Sequence, residues 1–231
     1  MARGLGRALQ AAVSREDINR DLDAGGRGLA NARRRQVFRY LCLRPCARVG
    51  DVGRDLLMSQ ATVRWHAWDL VEHTYLQVEG ARVFPVGLIE PQDATLFSAL
   101  ASTGRAAVLS GAFETPGISF QELAARVRLS RQSVSKIATE LAEFGLLNLA
   151  DEGRYRGVYP TNLLGRKREA NRARADAFGE TLLRRLAEEG LAPELLRRDE
   201  TTLLFRFGIG GRRVILELSL DPYTTAWKWT S

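Results

Sequence analysis

Two segments of the amino-acid sequence follow the same pattern at a separation of about 71 residues. Ser59 and Leu70 in the first segment correspond to Ser130 and Leu141 in the second, with similar residues before and between them. The matches continue upstream, where Arg34 corresponds to Arg105, Val37 to Val108 and Pro45 to Pro116. A repeat of this length predicts two copies of one folded unit.

Each copy has the order of elements that is typical of a helix-turn-helix with a wing. Hydrophobic spacing and capping residues predict helices over residues 31–44, 49–57 and 59–72 in copy one, and over 104–113, 119–127 and 130–144 in copy two. Short hairpins around a glycine-containing turn follow at 75–84 and 146–159. This order predicts a winged helix-turn-helix in both copies.

The repeat divides the chain into four predicted regions. Residues 1–30 form an extension with a short helix at 14–22, residues 31–90 form winged helix 1, and residues 91–165 form winged helix 2. In residues 166–231 a charged helix precedes strands predicted near 195–198, 201–207 and 214–220. The predicted fold class is therefore mainly α with small β wings, with tandem winged helix-turn-helix domains and a small C-terminal α+β module, a helix on an antiparallel meander.

Charge and apolar content limit the classes of partner and location. The formal net charge of +7 favours a polyanionic partner. Cys42 and Cys46, the two cysteines, are too few for a four-ligand zinc site and are expected to be buried, reduced thiols. The sequence shows neither a membrane-spanning apolar run nor the apolar core of a signal peptide, so we expect a cytoplasmic, nucleoid-associated protein that contacts no membrane.

The phase of the third helix in copy two predicts which residues face a DNA groove. Val134, Ile137, Ala138 and Leu141 fall on the buried side. Polar and basic residues suited to base edges and phosphates fall at the helix start and on its outer side: Ser130, Arg131, Gln132, Ser133, Lys136 and Thr139. Arg154 and Arg156 on the wing would flank them. The alternative is an ordinary solvated face.

Copy one presents a different outer face. Its buried side holds Val63, Ala67 and Leu70, while Trp65 and Trp68 point outward. Its candidate DNA-binding residues are Gln60, Thr62 and Arg64. Exposed aromatic residues are enriched at protein interfaces. Copy one is therefore either a second DNA reader or a surface covered by a partner, by the C-terminal module or by the N-terminal segment.

The repeated segment resembles a known family of regulators. Residues 51–56 with 59–70, and residues 122–130 with Val134 and 141–147, are similar to the winged helices of ArsR- and MarR-like transcriptional regulators, especially tandem archaeal members. The resemblance covers about residues 31–164. It implies binding of double-stranded DNA through the third helix and the wing, and it departs from the family pattern at the aromatic outer face of copy one.

No catalytic motif emerges from the sequence. His66 and His73 lie about seven residues apart on one predicted helix, and His66 falls toward the buried side. The glycines at 208–211 join two strands and precede no phosphate-binding helix. We therefore expect a non-enzymatic, sequence-dependent DNA-binding regulator without cofactor or metal. The alternative is a protein-interaction scaffold, with a homodimer or another protein bound through the C-terminal module or through Trp65 and Trp68.

Overall fold

The computed structural model describes residues 28–228, so the helix predicted at 14–22 and the final residues 229–231 lie outside the described part. Helices account for 54% of the described residues and strands for 20%, in small antiparallel sheets. The fold is therefore mixed α/β with helix predominating, which is compatible with the predicted fold class. Within residues 28–228 no single helix is long and apolar enough to cross a membrane, and only the bent pair Pro91–Leu100 and Thr103–Glu114 together reach that length and composition.

The described chain contains two compact units. Unit 1 comprises residues 28–98 and 171–222, and unit 2 comprises residues 99–170 and 223–228. Three helices contribute residues to both units: α4 (Ala94–Leu100), α8 (Leu163–Glu188) and the short last helix, Pro222–Thr225. The C-terminal strands thus belong to the same compact unit as copy one.

Unit 1 begins with three helices and a hairpin. These elements are α1 (Ala32–Leu43), α2 (Val49–Asp55), α3 (Gln60–Glu72), β1 (Leu76–Glu79) and β2 (Arg82–Pro85). Asn31 caps α1, because its side-chain oxygen accepts hydrogen bonds from the backbone N–H groups of Arg33 and Arg34 at 2.9 and 3.2 Å. In the hairpin, Glu79 pairs with Arg82 around Gly80, whose φ of 60° is the left-handed conformation that glycine adopts easily.

A long helix and a three-stranded sheet complete unit 1. The strands β6 (Glu194–Arg198), β7 (Thr202–Ile209) and β8 (Arg212–Ser219) form an antiparallel meander in the order β6-β7-β8. Alternate residues of the sheet are buried, as the period-two pattern predicts: Leu203, Phe205, Phe207, Leu216 and Leu218. Helix α1 packs against β8, and the ring of Phe38 lies 6.4 Å from the ring of Phe178 on α8. The predicted helix and antiparallel strands are therefore present.

Unit 2 contains a similar set of helices and one three-stranded sheet. It consists of α5 (Thr103–Glu114), β3 (Ile118–Ser119), α6 (Phe120–Val127), α7 (Arg131–Glu143), β4 (Leu147–Asp151) and β5 (Arg156–Pro160). The strand order is β3-β5-β4, with both pairs antiparallel. Trp227 also belongs to this unit, and its ring stacks on Phe113 at 4.5 Å. The short helix α9 (Pro222–Thr225) precedes it.

Backbone conformation repeats between the two copies. Residues with positive φ occur at corresponding positions, in the pairs Cys46 and Gly117, Leu57 and Arg128, and Thr74 and Gly145. The Cys46 N–H donates to the Val83 carbonyl at 3.0 Å, and the corresponding Gly117 N–H donates to the Val158 carbonyl at 2.9 Å. The sequence repeat is therefore a repeat of local structure, including the turns that precede the second helix and follow the third.

Three parts of the fold differ from the sequence-based expectation or were absent from it. The charged helix was expected within residues 166–231, but it begins earlier, at Leu163, and forms the 26-residue helix α8. Helix α4 and strand β3 were not predicted. A hydrogen bond within unit 1 helps to hold α8 in place, since the Asn171 side-chain amide donates to the Leu88 carbonyl at 2.9 Å.

Candidate nucleic-acid interface

Helix α7 is fixed in unit 2 by its buried side. Val134, Ala138 and Leu141 are all fully buried, and Ile137 is half-buried. The Ser130 hydroxyl oxygen caps the helix by accepting the backbone N–H of Ser133 at 3.1 Å. The side of α7 that the sequence phase assigned to the core is therefore the side that packs on unit 2.

An ion pair also links α7 to α5. The Arg105 guanidinium contacts the Glu140 carboxylate at 2.9 Å through Nε and 2.5 Å through Nη2. Copy one has the corresponding pair, in which Arg34 lies 2.9 Å from Asp69. Sequence analysis matched Arg34 to Arg105 but identified neither acidic partner. The two pairs hold the third helix of each copy at the same point along its first helix.

The outer side of α7 remains accessible. Arg131, Gln132, Ser133, Lys136 and Thr139 are all exposed. Three of the candidate hydroxyl groups already have partners on the helix, because Ser130 and Ser133 lie 2.8 Å apart through their oxygens and Thr139 donates to the Ser135 carbonyl. The remaining long side chains, Arg131, Gln132 and Lys136, are the stronger candidates for contacts with a ligand.

The hairpin of β4 and β5 brings two further cations to this region. Its turn is closed by a hydrogen bond from the Glu152 N–H to the Tyr155 carbonyl at 2.8 Å, and Gly153 has a φ of 75°. Arg154 and Arg156 are exposed. Arg156 approaches Asp151 only to 4.0 Å, and both side chains are largely exposed, so this pair holds Arg156 weakly. Tyr155, which sequence analysis did not select, is also exposed on the turn.

These side chains border one open concave surface in unit 2, with a volume of about 1280 Å³. It lies between the start of α6, the outer side of α7 and the β4–β5 hairpin. Its cationic lining residues are Arg131, Lys136, Arg154 and Arg156. Within residues 28–228, Arg131, Lys136 and Arg154 form no ion pair with a carboxylate. Three cations are thus available to an anionic ligand on one surface.

Acidic residues also line this surface, and two of them are engaged. Ser119 donates to the Glu122 carboxylate through both its backbone N–H and its hydroxyl, and these hydrogen bonds lower the pKa of Glu122. The bond from the Ser119 N–H and a bond from the Glu122 N–H to the Ser119 hydroxyl oxygen at 3.2 Å together form a capping box at the start of α6. Glu140 is held by Arg105. Glu143 lies exposed at the far end of α7, so the negative charge lies away from Arg131 at the helix start.

The corresponding positions in copy one carry different chemistry. Gln60 and Arg64 are exposed and lie 3.4 Å apart, while Thr62 is half-buried and contacts the Ser59 hydroxyl at 2.8 Å. Trp65 occupies the position of Lys136 and is 60% exposed, and Trp68 occupies the position of Thr139 and is 63% exposed. An apolar aromatic surface thus replaces the polar one of α7.

Neighbouring polar groups fix both tryptophans. The Arg34 guanidinium carbon lies 5.0 Å from the centre of the Trp65 ring, which is the geometry of a cation–π contact. The Trp68 indole N–H donates to the Glu72 carboxylate at 3.1 Å. The rings are thus both exposed and oriented, which reduces the conformational entropy lost on contact with a partner.

His66, Cys42 and Cys46 are buried. Desolvation, with smaller contributions from Arg34 and Arg33, lowers the pKa of His66 to about 4, so the imidazole is neutral at pH 7. Burial raises the pKa of the Cys46 thiol to about 12 and also raises that of Cys42. Within residues 28–228 no three His, Cys, Asp or Glu side chains are grouped so that they could hold a metal ion.

No protein-family model and no curated protein matches this chain.

Proposed function

We propose that this protein is a sequence-dependent regulator of transcription that binds double-stranded DNA, with two winged helix-turn-helix modules of the ArsR- and MarR-like type. The observation that carries the proposal is the accessible outer side of α7, where Arg131, Gln132 and Lys136 lie beside the cations of the wing. Binding inserts α7 into the major groove and places Arg154 and Arg156 against the flanking phosphates.

The order of elements in unit 2 supports the same function. Helix α5, strand β3, helices α6 and α7, and the hairpin β4–β5 follow one another in the order that a winged helix has, and strand β4 of the hairpin packs against α7. In such a unit the buried side of the third helix sets its orientation, while the exposed side selects the base sequence.

The exposed residues of α7 divide into two roles. Arg131 at the first turn and Lys136 one and a half turns later supply positive charge for phosphates or guanine. Gln132 has both a donor and an acceptor, which suits the N6 and N7 edge of adenine. Sequence preference should therefore depend on Gln132 more than on the wing arginines, which contact every sequence similarly.

Duplex binding tests this proposal directly. We expect a dye-labelled duplex of mixed sequence to bind the full chain at about 50 mM salt, with affinity that decreases as salt increases. Arg131→Ala and Lys136→Ala should each weaken a specific contact by about 1–3 kcal/mol, whereas Arg166→Ala, which removes the same charge from an exposed position on α8, should have little effect. Absence of duplex binding at low salt would reject the regulator function.

Selection from a randomised duplex pool tests sequence dependence separately. The wild-type chain should enrich a defined site, and Gln132→Ala should lose the preference at one position of that site. Arg154→Ala should weaken binding to all sequences to a similar extent. An unselective wild-type chain would limit the function to DNA binding without sequence readout.

The exposed tryptophans favour a second candidate function for copy one, that of a protein-interaction surface. Trp65 and Trp68 replace the polar side chains of α7 at the same positions, and large exposed aromatic residues are enriched where proteins bind each other. Under this function Trp65→Ala with Trp68→Ala leaves duplex affinity unchanged and abolishes association with a protein partner. A loss of duplex affinity in this variant would instead identify copy one as a second DNA-binding surface.

A further inference from the structure

The outer side of α3 carries a stripe of exposed residues that is centred on the two tryptophans. Ala61, Trp65, Trp68 and Glu72 recur along the helix at spacings of four, three and four residues, so they lie on one face. All four are exposed. The alternation of three and four residues is the spacing of the contact stripe between two helices that pack side by side.

An exposed leucine precedes this stripe. Leu57 lies in the turn between α2 and α3, four residues before Ala61, and is 84% exposed. The corresponding residue in copy two is Arg128, and both have a positive φ, of 53° and 56°. The turn thus keeps its backbone conformation while the side chain changes from a cation to an apolar group. This change adds to the two tryptophans and favours a protein over a phosphate backbone as the partner of this face.

Two opposite charges flank the rings. Arg64 is exposed one residue before Trp65, and Glu72 is exposed at the end of α3, about 12 Å further along the helix. Arg64 contacts Gln60 at 3.4 Å, and Glu72 accepts the Trp68 indole N–H. In the part of the chain that the structure describes, neither Arg64 nor Glu72 forms an ion pair. Both charges are therefore available to a second molecule.

The stripe is complementary to itself when two α3 helices run antiparallel. With a two-fold axis level with the midpoint between Trp65 and Trp68, each Trp65 lies level with Trp68 of the second copy. Ala61 then lies level with Glu72, and Arg64 comes within one helical turn of the same glutamate. A parallel pair would instead bring Arg64 to Arg64 and Glu72 to Glu72. Charge complementarity thus selects the antiparallel arrangement.

We propose that a second copy of this chain occupies the outer side of α3, so that two antiparallel α3 helices form a homodimer. Trp65 and Trp68 lie at its centre, and the pair of Arg64 with Glu72 closes both ends. The proposal rests on the second candidate function, a protein-interaction surface in copy one, and names its partner. A few central aromatic residues commonly provide most of the binding energy of an interface. Duplex binding by α7 is independent of this contact.

Sedimentation equilibrium of the full chain tests self-association. We expect the mass to rise from that of a monomer toward twice that value between about 1 and 300 μM chain, the range of a small interface. Trp65→Ala with Trp68→Ala should weaken self-association at least about 30-fold. Ile215→Ala, which shortens a 57% exposed side chain on β8, is the control and should leave it unchanged. A monomeric wild-type chain, or equal association of the tryptophan variant, would overturn the proposal.

Charge reversal tests the antiparallel arrangement. Arg64→Glu and Glu72→Arg each bring like charges together at both ends, so either variant alone should weaken self-association about fivefold or more. Arg64→Glu with Glu72→Arg in one chain restores opposite charges and should restore association. An equal mixture of the two single variants should also associate, because each end then joins a glutamate to an arginine. Failure of both the double variant and the mixture to restore association would overturn the proposal.

Duplex binding of the same proteins keeps the two functions apart. A monomeric wild-type chain that binds a duplex would overturn self-association and leave the DNA-binding function standing. A dimer of the wild-type chain that binds no duplex at low salt would support self-association and reject the regulator function. Loss of duplex affinity together with unchanged self-association in the tryptophan variant would overturn the homodimer and assign this face to DNA.

Discussion

The ion pairs that hold the third helices give a prediction in which burial determines the magnitude. In Arg105–Glu140 both side chains are 27% exposed, whereas in Arg34–Asp69 they are 6% and 18% exposed. A variant that neutralises the acid removes this ion pair from the arginine. The penalty for this change increases with burial, from about 0–1 kcal/mol for exposed pairs to about 3–5 kcal/mol for buried ones.

Interpolation between these limits ranks the two variants. Glu140→Gln should decrease the free energy of opening of α7 by about 2 kcal/mol, because the pair is half-buried and makes two charged hydrogen bonds. Asp69→Asn should decrease the free energy of opening of α3 by about 3 kcal/mol, because Arg34 is almost completely buried. The corresponding increases in exchange rate are roughly 30-fold and 150-fold.

Native-state hydrogen exchange with mass spectrometry measures the two helices separately, since peptides from α3 and α7 report on each opening reaction. Glu143→Gln, which neutralises an exposed acid on α7 without an ion pair among the described residues, is the control and should change exchange by less than about threefold. Two results would refute the claim that the penalty increases with burial of the ion pair. One is a larger effect of Glu140→Gln than of Asp69→Asn, and the other is an effect of either variant no greater than that of the control.

Two further predictions concern a helix cap and a buried histidine. Ser130→Ala should destabilise α7 by about 1 kcal/mol, as measured by urea unfolding, and Ser130→Asp should retain most of the lost stability because the carboxylate also caps the Ser133 N–H. The pKa of His66 is about 4 in the folded chain against an ordinary value of 6.5, so the unfolded chain binds the extra proton and stability falls as the pH decreases from about 6.5 to about 4. Position 66 corresponds to Ile137 in copy two. His66→Ile should therefore reduce the loss of stability at low pH, as measured by urea unfolding. An equally steep decrease in the variant would exclude His66 as its cause.

The elements with strong local signals were predicted to within a few residues. Caps at Ser59, Ser119 and Ser130 marked helix starts, and helical phase correctly predicted that Trp65 and Trp68 are exposed. These features depend on neighbours along the chain. The alternating pattern of residues 202–219 likewise identified two strands, because one face of that sheet is buried.

Features that depend on distant residues were missed. Strand β3 has only two residues, so it has no alternation to detect, and it is defined by its pairing with β5. The acid that pairs with Arg105 lies 35 residues away and has no local signature. One contact within α7 was not indicated by helical phase either, since the exposed Thr139 donates its hydroxyl to the Ser135 carbonyl four residues earlier.

A pocket of unit 1 between α1, α2, α3 and the β1–β2 hairpin also became apparent only in three dimensions. Ala47 and Val49 are unremarkable in sequence, and their small size acquires meaning because copy two has Ile118 and Phe120 at the same positions. An internal repeat thus provides a reference for packing as well as for fold. Differences between the copies identify where each has changed its surface or its core.

The salt dependence of duplex affinity tests the central claim most directly. Each phosphate contact contributes about −0.9 to the slope of log Kobs against log salt concentration. We predict that Arg131→Ala with Lys136→Ala makes this slope shallower by about 2, while Arg166→Ala with Arg168→Ala, which removes the same charge from α8, leaves it within about 0.5 of the wild-type value. Equal slopes for the wild type and the α7 variant would contradict a DNA-binding role for this helix.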